Sequence, residues 1–183
     1  MNCYFDILIK PDAEMRENVL MNKVYSKFHK ALFTLSANNI GVSFPKYEIL
    51  LGKVLRVHGE HSALNDLQGL SWLGGLVGYC EISAIQNVPE IVQYRVISRI
   101  QPKMSNSKLN RLVKRGSISN EEIKGYKAKM FSKGLDNPYV ELESTSSGER
   151  YRRYFQFGRI TDESSVGEFD EFGLSKTASI PWF

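Results

Sequence analysis

The period of the apolar residues changes once, at Pro11-Asp12, and that change confines the fold more than any other feature of the chain. Residues 3–10 alternate as a half-buried strand does. Beyond the turn, Leu20, Val24, Phe28, Ala31 and Leu32 recur at helical spacing and mark a buried stripe running to about Leu35. Pro11-Asp12 reads as the turn and N-cap of that helix. His29 lies beside the stripe, at the edge it shares with Tyr25. Two more strands follow at residues 40–44 (Ile-Gly-Val-Ser-Phe, stopped by Pro45) and 53–58. Residues 62–73 read as a helix with Leu64, Leu67 and Trp72 available for burial, and residues 79–85 close the set as a strand.

The resulting order, βαββαβ, is that of a ferredoxin-like fold, the plan also used by many RNA-binding (RRM-like) domains. The class is therefore α+β. A ferredoxin-like domain is expected over residues 1–88, with Asn87-Val-Pro-Glu90 as the boundary, and a C-terminal α/β domain carrying an arginine/lysine-rich helix over residues 89–183. Ile40-Gly-Val-Ser-Phe44 does not match the aromatic RNP1 pattern, so base stacking on the first sheet is not expected. Any nucleic acid must be gripped elsewhere.

The second half supplies the means. A strand at 92–101 delivers Arg99 and Gln101 and is stopped by Pro102. Lys108, Arg111, Lys114 and Arg115 then share one stripe of a helix, with Leu109, Leu112 and Val113 opposite. From Lys103 to Lys133 nine cations face two acids, Glu121 and Glu122. Ser119 and Glu122 make a capping box for a second basic helix, with Ile118 and Ile123 at the staple positions. Residues 139–143 and 150–157 read as hairpin strands joined by Ser144-Thr-Ser-Ser-Gly148, a turn by composition. The net charge of +4 understates this field, because Asp162, Glu163, Glu168, Asp170 and Glu171 gather near the end of the chain. Nucleic acid is the polyanion such a surface suits.

Other classes are disfavoured. No apolar run reaches the roughly 20 residues of a membrane span, and no signal peptide is visible, so no membrane partner is expected. Cys3 and Cys80 have neither disulfide nor zinc spacing and fit a reducing cytoplasm. His58 ends a strand and His61 follows in a Gly-Glu loop; the region reads as surface and turn-like, without a third ligand. No carboxylate cluster or glycine-rich phosphate loop suggests a metal-dependent nuclease or an NTPase. Neither metal nor cofactor is expected. Metal-free chemistry is open to RNA, whose 2′-hydroxyl can attack the adjacent phosphate once a base takes its proton. Histidine suits that task, with an ordinary pKa of about 6.5.

Several short motifs occur in order: Tyr4-x-Asp6-Ile7, Ile40-Gly-Val-Ser-Phe-Pro45, Tyr94-Arg95, Ser98-Arg99-Ile-Gln101, Ser144-x-Ser146-x-Gly148, Gly173-Leu-Ser-Lys176 and the terminal Pro181-Trp182-Phe183. With them the chain resembles, over essentially its whole length, the CRISPR repeat-processing endoribonucleases of the type I-F (Csy) system. The resemblance implies an arginine-rich helix lying in the major groove of a repeat hairpin, and metal-independent cleavage directly 3′ of the stem. The products would be a 5′-hydroxyl and a cyclic-phosphate-type end. It further implies that the protein stays on the crRNA hairpin, which links it to the other subunits of the type I-F surveillance complex.

Residue by residue, His29 matches the family's catalytic histidine and Ser144 the serine that positions the attacked ribose. Arg99 and Gln101 match the pair that reads bases low in the stem, and Tyr151 falls where a ring stacks on the terminal base pair. Lys103, Lys108, Arg111, Lys114, Arg115, Ser146 and Ser147 fall on the expected RNA-binding surface. Of Arg152 and Arg153, which face opposite ways on a strand, Arg152 is taken as the contact. The family's arginine run is here part lysine, a point charge without the planar fork. Phe172 stands where the family has a tyrosine; it can pack on His29 but cannot hydrogen-bond it. Two other readings remain: a hairpin-binding subunit with little or no catalysis, and, resting only on the cationic helices, a double-stranded DNA-binding domain.

Overall fold

Alternation in the first segment produces β1 (Cys3–Ile9), whose Cys3, Phe5, Ile7 and Ile9 are all buried. It is the inner strand of an antiparallel sheet with β2 (Gly41–Ser43), β3 (Val54–Gly59), β4 (Cys80–Ile82) and β5 (Gln86–Asn87). The order is β2-β3-β1-β4, with β5 pairing the other end of β1 along the same edge as β4. That is the ferredoxin-like arrangement, covered on one face by α1 (Glu17–Leu35) and α2 (His61–Gly69). The computed structural model describes all residues except 103, 105, 133, 134 and 145–147, and all side chains except these and those at 107, 131 and 132.

Several boundaries differ from the sequence reading. Asp12 does cap a turn, its Oδ1 accepting from the amides of Glu14 and Met15, but α1 begins only at Glu17, after an extended Arg16. The second helix ends at Gly69. Residues 70–73, expected as its last turn, form a turn instead, with Ser71 (φ 46°) and then Gly74 (φ 51°) left-handed, and a 3-10 segment, Gly74–Tyr79, follows. The fourth strand is split because the Ser83 hydroxyl accepts from the amide of Asp6, putting a side chain where the ladder would have a carbonyl.

The second half forms its own antiparallel sheet, in the order β7-β8-β6-β9. Its strands are β6 (Gln93–Ile100), β7 (Tyr139–Glu143), β8 (Arg150–Thr161) and β9 (Ile180–Trp182). Between β6 and β7 run α3 (Asn106–Lys114) and α4 (Asn120–Ser132). The capping box closes as expected: the Ser119 Oγ accepts from the Glu122 amide at 3.2 Å, and the Glu122 carboxylate accepts from the Ser119 amide at 2.8 Å.

One core joins the halves. Phe28 of α1 and Phe44, after β2, are fully buried with Phe155 of β8, around Tyr25. Each such side chain contributes about 1.5–3 kcal/mol through burial. The end of the chain fastens the sheets a second time. Arg56 of β3 pairs in a fork with Asp6 (2.7 and 2.9 Å), donates to the Phe183 carbonyl and lies over the rings of Tyr4 and Phe183.

His58 is corrected by this packing. It belongs to β3, as the strand over 53–58 predicts, but it is fully buried and not at the surface, opposite Tyr4, with its Nε2 2.8 Å from the Ser43 hydroxyl and its Nδ1 without a partner. Burial, then the charges of Arg56 and the amino terminus, lowers its pKa to about 3, so it is held neutral. His61 opens α2 in an exposed position, its Nδ1 accepting from Asn65.

Candidate active site and nucleic-acid interface

His29 reaches the surface because it lies one position past Phe28, off the buried stripe of α1. The loop at 170–174 folds over it. Asp170 shapes that loop: its carboxylate accepts from the amides of Phe172 and Leu174, both at 2.9 Å, and its own amide donates to the Leu174 carbonyl at 2.7 Å. Gly173 has φ +70°, and a Cβ there would approach Val42 to 3.0 Å, so the turn requires glycine. The outcome is a fixed Glu171 carbonyl 2.8 Å from Nδ1 of His29. A carbonyl can only accept, so Nδ1 carries a proton, and in the neutral imidazole Nε2 is then the acceptor.

Phe172 stacks on the imidazole with centroids 3.6 Å apart and planes 8° from parallel. The Arg153 guanidinium lies 3.3 Å from the same ring centroid. Two groups so near one ring must occupy opposite faces, so Phe172 is held between imidazole and guanidinium. Its carbonyl accepts from the buried Tyr25 hydroxyl at 2.7 Å, and burial raises the pKa of that phenol well above its ordinary value. Ring and backbone of Phe172 are thus both fixed without a hydroxyl of its own.

His29, Ser144, Tyr151, Arg153 and Phe172 line a single pocket of about 610 Å³. Ser144 closes the β7–β8 hairpin, its amide donating to the Glu149 carbonyl at 2.9 Å and its carbonyl accepting from Gly148. Tyr151, opposite Leu142 in the hairpin, is 36% exposed and presents a ring to the pocket. Ser146 and Ser147 lie outside the described residues, as does Lys103.

Arg99 and Gln101 share the same side at the end of β6 and line a second pocket with Asp170, Ser175 and Lys176. The Gln101 carboxamide, oriented oxygen-first, accepts from the Arg99 guanidinium. Partial burial lowers the pKa of Arg99 from its ordinary value, with the positive charge of Arg153 second.

On α3, Leu109 is the buried anchor, while Lys108, Arg111 and Lys114 are exposed. Arg115 follows the last helical residue. The helix ends in a Schellman turn at Gly116 (φ +65°), with Ser117 donating to the Leu112 carbonyl and Gly116 to that of Val113. Val113, expected on the anchoring side, is 46% exposed.

A sequence model of the family described as "CRISPR-associated protein (Cas_Csy4)" matches residues 4–183. The chain belongs to the Cas_Csy4 family. Proteins named "CRISPR-associated endonuclease Cas6/Csy4" are 36% identical in Escherichia coli (strain UTI89 / UPEC) and 34% identical in Pseudomonas aeruginosa (strain UCBPP-PA14), each match covering 100% of both chains. Among solved structures, a Thermus thermophilus Cse3 bound to an RNA representing a pre-cleavage complex covers 99% of this chain and 100% of its own, at 10% identity and TM-score 0.37. A superposition that loose carries no argument, and the fold stands on its own strand order.

Three parts of this Cas_Csy4 pocket were not read from the sequence. Arg152 and Arg153 do face opposite ways, yet it is Arg153 that lines the pocket, 6% exposed and with an unpartnered Nε. Arg152 lies on the outer face of the hairpin, paired with Glu141 at 3.1 Å and over the Tyr139 ring, and its hydrogen bonds to Tyr154 and Glu141 raise its pKa. Alternation fixes that the two differ but not which one points inward. The Glu171 carbonyl and the Asp170 brace are backbone and loop features, and the only sequence trace of them is Asp170 ahead of Gly173. Among the described residues no group of three or more His, Cys, Asp or Glu could hold a metal, and no helix is long and apolar enough to cross a membrane.

Proposed function

We propose that this protein is a metal-independent endoribonuclease that cuts CRISPR precursor RNA directly 3′ of the repeat stem-loop and then stays on the crRNA hairpin, within the type I-F surveillance complex. The observation that carries this reading is the hydrogen bond from His29 Nδ1 to the Glu171 carbonyl. With Nδ1–H committed to the Glu171 carbonyl, Nε2 faces the pocket as a ready proton acceptor.

Nε2 takes the proton of the 2′-hydroxyl, and the ribose oxygen bonds to the adjacent phosphorus as the bond to the 5′-oxygen breaks. A cyclic phosphate remains on the upstream fragment, and the departing oxygen takes a proton to become a 5′-hydroxyl. Ser144 positions the attacked ribose, and Tyr151 is the platform for the last base pair of the stem. Phe172 keeps the imidazole in plane by stacking.

Arg99 and Gln101 read bases: guanidinium to guanine, carboxamide to adenine, each worth about 1–3 kcal/mol of discrimination. They must first release one another, so base contact replaces an internal hydrogen bond. Lys103, Lys108, Arg111, Lys114, Arg115, Ser146 and Ser147 contact the phosphates of the hairpin, whereas Arg152, the contact expected from the sequence, is engaged by Glu141 and leaves the pocket to Arg153. The residue 1–88 half thus contributes the base, and the residue 89–183 half the grip. Because the grip is separate from the scissile bond, the hairpin is retained after cutting.

Incubation of the cognate repeat RNA in excess EDTA tests the proposal. Wild type should cut once, 3′ of the stem, and His29→Ala should bind but not cut. Cutting only on addition of a divalent ion would overturn it, and no product after long incubation would leave a hairpin-binding subunit.

A further inference from the structure

A cut within a strand leaves RNA on both sides of the broken bond, and the surfaces assigned above hold only the upstream side. The pocket around His29 continues into a groove of about 580 Å³ between α1 and the β7–β8 hairpin; Ser26, Leu142 and Glu143 line both. Lys23 and Lys27 line the groove from α1, and Arg150 lines it from β8. Helical spacing puts Lys23, Lys27 and Lys30 on one stripe of α1, and Ser26, which lines both cavities, lies between that stripe and the side that carries His29.

Charge in the groove favours an anion. Its acids are Glu141 and Glu143, and Glu141 is already paired with Arg152 at 3.1 Å. Among the described residues no carboxylate lies within 4.0 Å of the Lys23 or Lys27 ammonium. From His29 back to Lys23 the helix covers about 9 Å, room for about two phosphates of a single strand.

We propose that this groove guides the single-stranded RNA downstream of the cut, leading it from His29 past Lys27 toward Lys23. The inference rests on the nuclease reading above and adds the exit path of the strand. Three features on one surface support it: continuity with the pocket that holds the base, an excess of cations over free acids, and an open groove of about 580 Å³. Contacts of this kind are electrostatic and indifferent to sequence, which suits a downstream strand that differs from one repeat to the next.

Binding of two uncleavable RNAs, 2′-deoxy at the attacked nucleotide, tests it. One ends a single nucleotide beyond the cut and the other about eight. At about 50 mM salt the tail should tighten wild-type binding roughly 5–10-fold. It should also steepen the dependence of log affinity on log salt by about 1.4, at about 0.7 for each of two lysines on a single strand. The K23Q/K27Q double variant should lose both gains while keeping wild-type affinity for the short RNA and wild-type cutting of its ribose counterpart.

The proposal fails if the tail adds nothing in wild type, or if the double variant keeps the gain. It fails equally if Phe33→Ala removes the gain and the lysine pair does not, because the strand would then leave by the opposite end of the pocket, where Phe33 is 68% exposed. Cutting of the ribose RNA is a separate readout. Its absence alongside an intact tail effect would remove the nuclease reading and support the groove.

Discussion

Asp170 does not itself line the pocket around His29, yet its removal should slow cleavage. Its carboxylate accepts from two amides at 2.9 Å and holds the turn that presents the Glu171 carbonyl to His29. A hydrogen bond to a charged acceptor contributes about 1.5–3 kcal/mol. Asp170 is exposed, so the lower end applies to the pair, about 1.5 kcal/mol in all. If that stabilisation keeps the imidazole in its productive tautomer and plane, Asp170→Ala should lower the single-turnover rate about 10-fold. Asp170→Asn, which keeps an oxygen acceptor without the charge, should lose only about 3-fold. Both variants remove one negative charge beside Arg99, so any effect of charge on RNA binding is common to the two and cancels in their comparison. The assay is single-turnover cleavage at saturating protein, with product-hairpin affinity measured in parallel. An Ala rate within twofold of wild type, or equal losses for Ala and Asn that follow affinity, would refute the reasoning.

Three further outcomes are expected. Between about pH 6.5 and the folded-state value of about 3, the unfolded chain protonates His58 while the folded chain does not. Stability should therefore fall by about 1.4 kcal/mol per pH unit on acidification through that window. Urea melts at pH 7 and pH 5 should show wild type losing about 2 kcal/mol more than His58→Asn, and a constant difference would contradict the neutral buried imidazole. Gly41→Ala should destabilise the protein by about 1–3 kcal/mol in thermal melts, since its Cβ would sit 2.7 Å from both Ile180 Cγ2 and Phe169 Cε1. Neutralising Lys114 and Arg115 together should weaken hairpin binding and reduce its salt slope by about 0.9 for each phosphate no longer neutralised, leaving the cleavage site unchanged.

The first half of the fold was legible because β1, α1, β3 and α2 each bury one face, and burial writes its period into the sequence. Signals faded where a side chain or a loop decides the geometry. The split between β4 and β5 depends on the Ser83 hydroxyl entering the ladder, and β9 is three residues long with Pro181 at its centre, too short for any period. His58, at the end of its expected strand, looked exposed because Gly59 and Glu60 follow it, whereas packing by Tyr4 and Phe183 buries it. At the site, His29 and Ser144 were reached through the family resemblance, not through spacing, since they lie far apart in sequence and meet only when the halves share a core. Arg153 went unread because a strand's two faces look alike until one is known to be covered. The stack of His29, Phe172 and Arg153 shows how an aromatic ring without a hydroxyl can still fix an imidazole.

The chemical identity of the ends made from repeat RNA in excess EDTA tests the central claim most directly. The imidazole-and-ribose mechanism predicts a 5′-hydroxyl on the downstream fragment and a 2′,3′-cyclic phosphate on the upstream one, both absent with His29→Ala. A 5′-phosphate paired with a 3′-hydroxyl, appearing only when a divalent ion is supplied, would contradict it.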